Sequence, residues 1–228
     1  MGAAALPALD PQAAIRGLGE TLELGLSEGQ ITHLLAYLAL LQKWNGHYNL
    51  TALRATESML SHHLADCLAV VPALRRHLAQ APTAGAEEAA TRVLDVGSGG
   101  GLPGAVLAIL QPELQVTCVD TVGKKAAFIR QVAAELRLPN LRAEHARVEQ
   151  LRGRYGLITS RAFASLADFV GLTRDLLAPG GTWMAMKGRE PVDELAALPA
   201  GVAVERVEPI SVPGLDAQRC LVWMTLGS

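Results

Sequence analysis

Apolar positions follow helical spacing in the first third of the chain, then give way to short apolar runs alternating with further helical stretches. Ser27 with Gln30 forms a capping box ahead of Ile31, Leu34, Leu35, Leu38 and Leu41. This predicts a helix from about 28 into the low forties, stopping at Asn45-Gly46. A second helix is predicted from Thr56, with Leu60, Leu64, Leu68 and Val71 as its apolar face, and Pro72 is placed to open a short third one through Leu78. Residues 80–91 are small and polar and read as a linker or long loop. Beyond them strands are predicted at 92–96, 115–119, 141–145, 157–160, 181–186, 202–207 and 220–225. Helices are predicted at 103–110, 124–137, 165–177 and 191–198, with a weaker one near 147–151. Such alternation means βαβ units on a parallel sheet. Nothing helical separates the last two strands, so they are expected to pair antiparallel. The expected fold is α/β: a seven-stranded, mostly parallel sheet flanked by helices, with an N-terminal helical extension. The expected division is 1–90 as helical region and linker, and 91–228 as the sheet domain.

Composition changes this picture little. Half of the 228 residues are apolar, enough for a full core, and the net charge of −2 announces no acidic or basic partner. The charge is unevenly spread, however. The stretch 124–154 carries eight basic residues (Lys124, Lys125, Arg130, Arg137, Arg142, Arg147, Arg152, Arg154) against Glu135, Glu144 and Glu149, a local +5. It suits either a phosphate footprint or a solvated surface. Cys67, Cys118 and Cys220 are far apart and form no CxxC pair, which points to buried thiols in a reducing compartment. No basic residue precedes Arg16, so the start makes a poor leader, and apolar stretches such as 104–110 are too short to span a bilayer. The expected setting is soluble and cytoplasmic, with no membrane.

One segment carries most of the chemistry. Val93-Leu-Asp95-Val-Gly97-Ser-Gly99-Gly-Gly101-Leu-Pro103-Gly104 is a buried strand running through glycines into a helix. Glycines allow a sharp turn and close approach of a ligand to the backbone, and the helix start offers free N–H groups. Asp120 ends the next strand, where a carboxylate can grip ribose hydroxyls. This is a Rossmann-like arrangement, and NAD(H) and S-adenosylmethionine both place an adenosine ribose there. Asp95 separates them: an acid at that point repels a pyrophosphate but suits the cationic methionyl end of a methyl donor. The D-x-G-x-G pattern resembles the first motif of class I methyltransferases. After the fourth strand the chain reads Thr159-Ser160-Arg161-Ala162-Phe163-Ala164. It has no Asn/Asp-Pro-Pro-aromatic signature and no cysteine, which disfavours exocyclic amines and pyrimidine C5 as methyl acceptors. A ring nitrogen with a free lone pair remains.

Several segments together resemble the bacterial 16S rRNA guanine-N7 methyltransferase family, historically called glucose-inhibited division protein B. They are Lys43-Trp44-Asn45 with Tyr48-Asn49-Leu50-Thr51, His63 with Asp66, the glycine segment 95–104, Asp120 with Lys124-Lys125, Ser160-Arg161-Ala-Phe163-Ala164, Lys187-Gly188, and Arg219. The resemblance implies methyl transfer from S-adenosylmethionine to N7 of one guanine in 16S rRNA, with rRNA or the small ribosomal subunit as partner. On it, Gly97 and Leu102 line the donor together with Asp95, Gly99 and Gly101, Asp120 holds the ribose, Val148 and Glu149 flank the adenine, and Arg161 stands in the cofactor or active-site shell. The chain departs from the pattern at His62, where arginine is usual, and at Cys67, where serine is usual.

Among the remaining residues, His62, His63 and Asp66 lack a further metal ligand, and transfer from a sulfonium needs no metal; none is expected. Arg161, Lys187, His63 and Asp66 are the candidate active-site contacts, none required as acid or base. Lys124, Lys125, Arg130 and Arg219 are the candidate RNA contacts. An arginine fork onto guanine O6 and N7 would block the reaction, so Arg161 is assigned to the cofactor or a phosphate. Trp44 and Tyr48 are expected to pack rather than stack on bases. Two other classes stay open: a nicotinamide-dependent oxidoreductase, and a non-catalytic ribosome-assembly factor binding RNA through 124–154. The protein is expected to act as a monomer.

Overall fold

The computed structural model describes residues 10–48, 50, 56–80, 89 and 91–227. It opens with a helix absent from the sequence expectation, α1 (Pro11–Thr21). Its local signal is plain in retrospect: Asp10 accepts a hydrogen bond from the Gln12 N–H at 3.0 Å, and proline occupies the first turn. Helix α2 (Glu28–Tyr48) starts at the expected capping box: the Ser27 N–H donates to Gln30 Oε1 at 3.0 Å, and the Gln30 N–H donates to Ser27 Oγ at 3.2 Å. It does not stop at Asn45-Gly46. Trp44 packs on Phe128 with ring centroids 5.5 Å apart and Asn45 is buried, so tertiary contacts carry the helix past a weak local stop.

The next helical run comprises α3 (Thr56–Met59), a wide π-type turn (Leu60–Leu64) and α4 (Ala65–Gln80). Pro72 lies inside α4 rather than opening a new helix. Proline there costs about 3 kcal/mol. Burying Leu68, Val70, Val71 and Leu74 completely contributes about 1.5–3 kcal/mol each, so packing wins. Most of the expected linker, 81–88 and 90, lies outside the described residues, as does Asn49.

The sheet follows as β1 (Arg92–Val96), α5 (Gly104–Leu110), β2 (Gln115–Asp120), α6 (Gly123–Glu135), β3 (Leu141–His145), β4 (Tyr155–Arg161), α7 (Leu166–Thr173), β5 (Leu177–Lys187), α8 (Val192–Ala196), β6 (Val202–Ile210) and β7 (Arg219–Leu226). The weak helix near 147–151 is a single 3-10 turn, Val148–Gln150. Helix α7 ends earlier than expected, and β5 begins earlier, because a 3-10 turn (Arg174–Leu176) intervenes. The order across the sheet is β3-β2-β1-β4-β5-β7-β6, and β7 alone runs against its neighbours. The order reverses between β1 and β4, which makes the carboxyl ends of those strands the natural ligand crevice. Helices α1, α2, α4, α5 and α6 share one continuous apolar core with one face of the sheet, including Leu34, Leu68, Val106, Phe128 and Trp223. Helix α7 covers the other face around Ile158, Phe169 and Trp183.

Candidate active site

The turn after β1 places Gly97, Gly99 and Gly101 at φ of +66°, +57° and +82°. A Cβ on Gly97 would lie 2.4 Å from Phe163 Cδ2, so the ring of Phe163 rests directly on this turn. Gly104 is needed for a different reason: a Cβ there would meet Cys118 Sγ at 2.5 Å and Asp95 Oδ2 at 2.8 Å. Asp95 is fully buried beneath the turn, and its Oδ2 accepts the Gly104 N–H at 2.8 Å, tying β1 to the start of α5. Its Oδ1 has no hydrogen-bond partner among the described residues. Burial pushes the Asp95 carboxyl up to about 7, although the Gly104 N–H and Arg161 both oppose the rise.

Asp120 ends β2 and faces the same turn. Its Oδ2 accepts the Gly99 N–H at 3.0 Å, its Oδ1 accepts the Val122 N–H at 2.9 Å, and Lys125 Nζ stands 3.6 Å from Oδ2. Each carboxylate oxygen keeps a further lone pair for a hydroxyl donor. Gly97, Asp120, Lys125, Val148, Glu149, Ala162 and Phe163 line a cleft of about 270 Å3. Four of the expected donor residues therefore meet in one place. Leu102 does not join them; it is buried in the core. Phe163 is the residue whose contact the sequence reading missed, although its segment was singled out.

At the neighbouring carboxyl end of β4, Arg161 gathers residues from distant parts of the chain. Its Nη1 lies 3.3 Å from His63 Nδ1 and 3.6 Å from Asp66 Oδ2, while Arg219 Nε donates to Asp66 Oδ1 at 2.9 Å. Three of the four expected active-site contacts, and one expected RNA contact, thus form a single cluster. A guanidinium has no acceptor, so His63 Nδ1 takes the hydrogen bond and the imidazole proton sits on Nε2. That Nε2 is buried and without a partner among the described residues. Burial, followed by the Arg161 charge, pushes His63 down to about 4, so the ring is neutral near pH 7. The wide turn at Leu60–Leu64 is where His63 is presented.

Lys187 stands apart from this cluster in its bonding. Its Nζ donates to Glu194 at 2.7 and 3.0 Å and to the Ala164 carbonyl at 3.1 Å, and Glu194 also accepts the Leu166 N–H at 2.7 Å. It braces the 161–166 loop against α8. Lys124 is exposed at the start of α6, and Arg130 donates to the Ala143 carbonyl at 3.0 Å. His62 is exposed, with Nδ1 2.7 Å from Ser61 Oγ. Trp44 and Tyr48 pack on each other with centroids 5.1 Å apart. All three cysteines are free and buried, and burial pushes Cys67 up to about 12. Among the described residues no cluster of His, Cys, Asp and Glu could hold a metal ion, and no helix is long and apolar enough to cross a membrane.

A parallel sheet reversing between β1 and β4, one antiparallel strand near the far edge, and a glycine turn facing an acid at the end of the next strand together define the Rossmann-like fold shared by S-adenosylmethionine-dependent methyltransferases. To one such enzyme from Aquifex aeolicus the TM-score is 0.51 at 14% identity, covering 73% of this chain and 92% of that one. The magnesium protoporphyrin IX methyltransferase of Synechocystis PCC 6803, solved with its donor, has the same fold: TM-score 0.56 at 15% identity, covering 98% of this chain and 100% of that one. The rRNA small subunit methyltransferase G family matches residues 30–222, and the chain belongs to that family. It is 58% identical over 211 residues to the ribosomal RNA small subunit methyltransferase G of Acidovorax ebreus, covering 92% of this chain and 93% of the relative. To that of Leptothrix cholodnii it is 62% identical over 200 residues, covering 87% and 88%.

Proposed function

We propose that the protein transfers the methyl group of S-adenosylmethionine to N7 of one guanine in the 16S rRNA of the small ribosomal subunit, acting in the cytoplasm as a monomer. The observation that carries this reading is the meeting of the Gly97–Asp120–Phe163 cleft with the Arg161 cluster along one edge of the sheet. Asp120 would hold the ribose hydroxyls, and Val148 and Glu149 would flank the adenine. The cleft volume has room for the adenosine part, leaving the methionyl end to lie over the glycine turn. The unpartnered, buried Asp95 Oδ1 is an unmet demand for positive charge, which fits a cationic donor.

The donor supplies an activated methyl group. N7 of neutral guanine has a lone pair and no proton, so the protein must align and desolvate rather than take a proton. The side chains at this edge agree with that requirement. His63 is held neutral and Asp66 is committed to two guanidiniums, so neither is poised as an acid or base. Arg161 would hold the donor or a phosphate, since a fork onto O6 and N7 would block the reaction. Family membership leaves the nicotinamide reading without support.

The test is incubation with labelled donor and either naked rRNA or assembled small subunits, followed by mapping of the modified base. Label at guanine N7 is expected; label on another atom, or no transfer to either substrate, overturns the proposal.

A further inference from the structure

A second cavity, larger than the cleft beside Gly97 and Asp120, lies further along the sheet. A hollow of about 660 Å3 opens between the loop after β5, the end of β6 and the start of β7. Its volume falls within the usual range for small-ligand sites. Because β7 runs antiparallel, its first residues lie at the same edge of the sheet as the last residues of β5: Lys187 pairs with Cys220. The hollow therefore shares the ligand-bearing edge with the donor cleft. It sits about two strand spacings, roughly 10 Å, from the end of β4, where the methyl group would be presented. That is too far for the reacting base and about right for a nucleotide next to it.

We propose that this hollow holds a nucleotide flanking the methylated guanine and reads its base; the inference rests on the function proposed above. Ile210 and Leu215 supply an aliphatic floor for the face of a base. Glu190 and Asp216 are exposed carboxylates on the rim, acceptors suited to the exocyclic amino groups of guanine, adenine or cytosine, a group that uracil lacks. Arg189 and Arg219 offer guanidiniums to a phosphate. The rim is close to neutral in these charges, so it selects by geometry rather than by long-range attraction. Arg219 also joins the two sites physically. It lines the hollow and donates to Asp66, whose other oxygen faces Arg161. A base seated in the hollow would thus bear on the residues that set the transfer edge.

Two variants test this. Ala217→Trp, at an exposed loop position, fills the hollow, and Asp216→Asn keeps the shape but removes an acceptor charge. Both are assayed on unmethylated small subunits for KM, kcat and direct binding, with S-adenosylhomocysteine affinity measured in parallel. Ala217→Trp is expected to raise KM and weaken particle binding by about tenfold or more, with Asp216→Asn showing a smaller rise and donor-product affinity staying within about twofold of wild type. Wild-type KM and binding in both variants overturn the inference while leaving the methylation reading intact. If the wild-type protein transfers no methyl group, the methylation reading fails instead. Direct binding then decides the hollow: weaker binding by Ala217→Trp supports it, and equal binding overturns it.

Discussion

Gly97 is where the turn is most sensitive to a single carbon. Substitution by alanine imposes two separate costs. The first is conformational: at φ +66° an L-residue pays about 1–2 kcal/mol, whatever surrounds it. The second is steric: the new Cβ would sit 2.4, 3.2 and 3.3 Å from Cδ2, Cγ and Cβ of Phe163. Three contacts reaching back to the Phe163 Cβ cannot be relieved by spinning the ring, so the side chain must leave its rotamer and the cleft it lines, the one proposed for the donor. Gly99 separates the two costs. Its φ is +57°, yet a Cβ there would find nothing closer than the Gly97 carbonyl at 4.0 Å. Gly99→Ala should therefore lose only the conformational part, lowering the unfolding midpoint by about 2–8 °C for a chain of this size. Gly97→Ala should lose at least about 1 kcal/mol more and bind S-adenosylhomocysteine about tenfold or more weakly. Removing the ring as well, in Gly97→Ala/Phe163→Ala, should recover the steric part of the stability loss. The assays are thermal unfolding and titration calorimetry, analysed as a double-mutant cycle. Equal stability of Gly97→Ala and Gly99→Ala, with no coupling to Phe163, would refute the packing of the ring on the turn.

Asp66→Asn weakens the hold on both Arg161 and Arg219 in a largely buried place, so a stability loss of about 1.5–3 kcal/mol is expected, with methyl transfer reduced more than donor affinity. Chemical unfolding and single-turnover transfer check the two parts. His63 has its folded pKa pushed down to about 4 from 6.5, so its contribution is present above 6.5 and is lost as pH falls towards 4. His63→Gln should flatten the stability profile within that window, as followed by midpoints at several pH values. Asp95 has the opposite sign: its folded pKa rises from 3.8 to about 7, so its contribution is full below 3.8 and is lost as pH rises through 7. Asp95→Asn should therefore raise the midpoint of the ligand-free protein more at pH 8 than at pH 4 while weakening donor binding, and a variant with equal midpoint changes at the two pH values would count against the buried-carboxyl argument.

Local pattern was enough for much of this protein. The capping box at Ser27 and Gln30, the alternation of strands and helices after residue 91, the glycine turn and Asp120 at the end of the next strand all depend on neighbours a few residues apart or on a repeated period. Those features led directly to the fold and to the residues that line the cleft proposed for the donor. Where local signals failed, burial had overruled them: Asn45-Gly46 inside α2 and Pro72 inside α4 are held helical by the packing around them.

What only the tertiary structure decided is which charge meets which. Lys187 looked available for RNA or the active site, and Glu194 engages it; Asp66 and Arg219, 153 residues apart, bond directly; Phe163 covers a glycine from another strand's turn. Strand and helix periodicity tells which face of an element is apolar, because solvent sorts each residue by its own chemistry. It does not tell which cation a carboxylate will choose, because that choice is made only when α4 has docked against the sheet and fixed which side chains share a low-dielectric space.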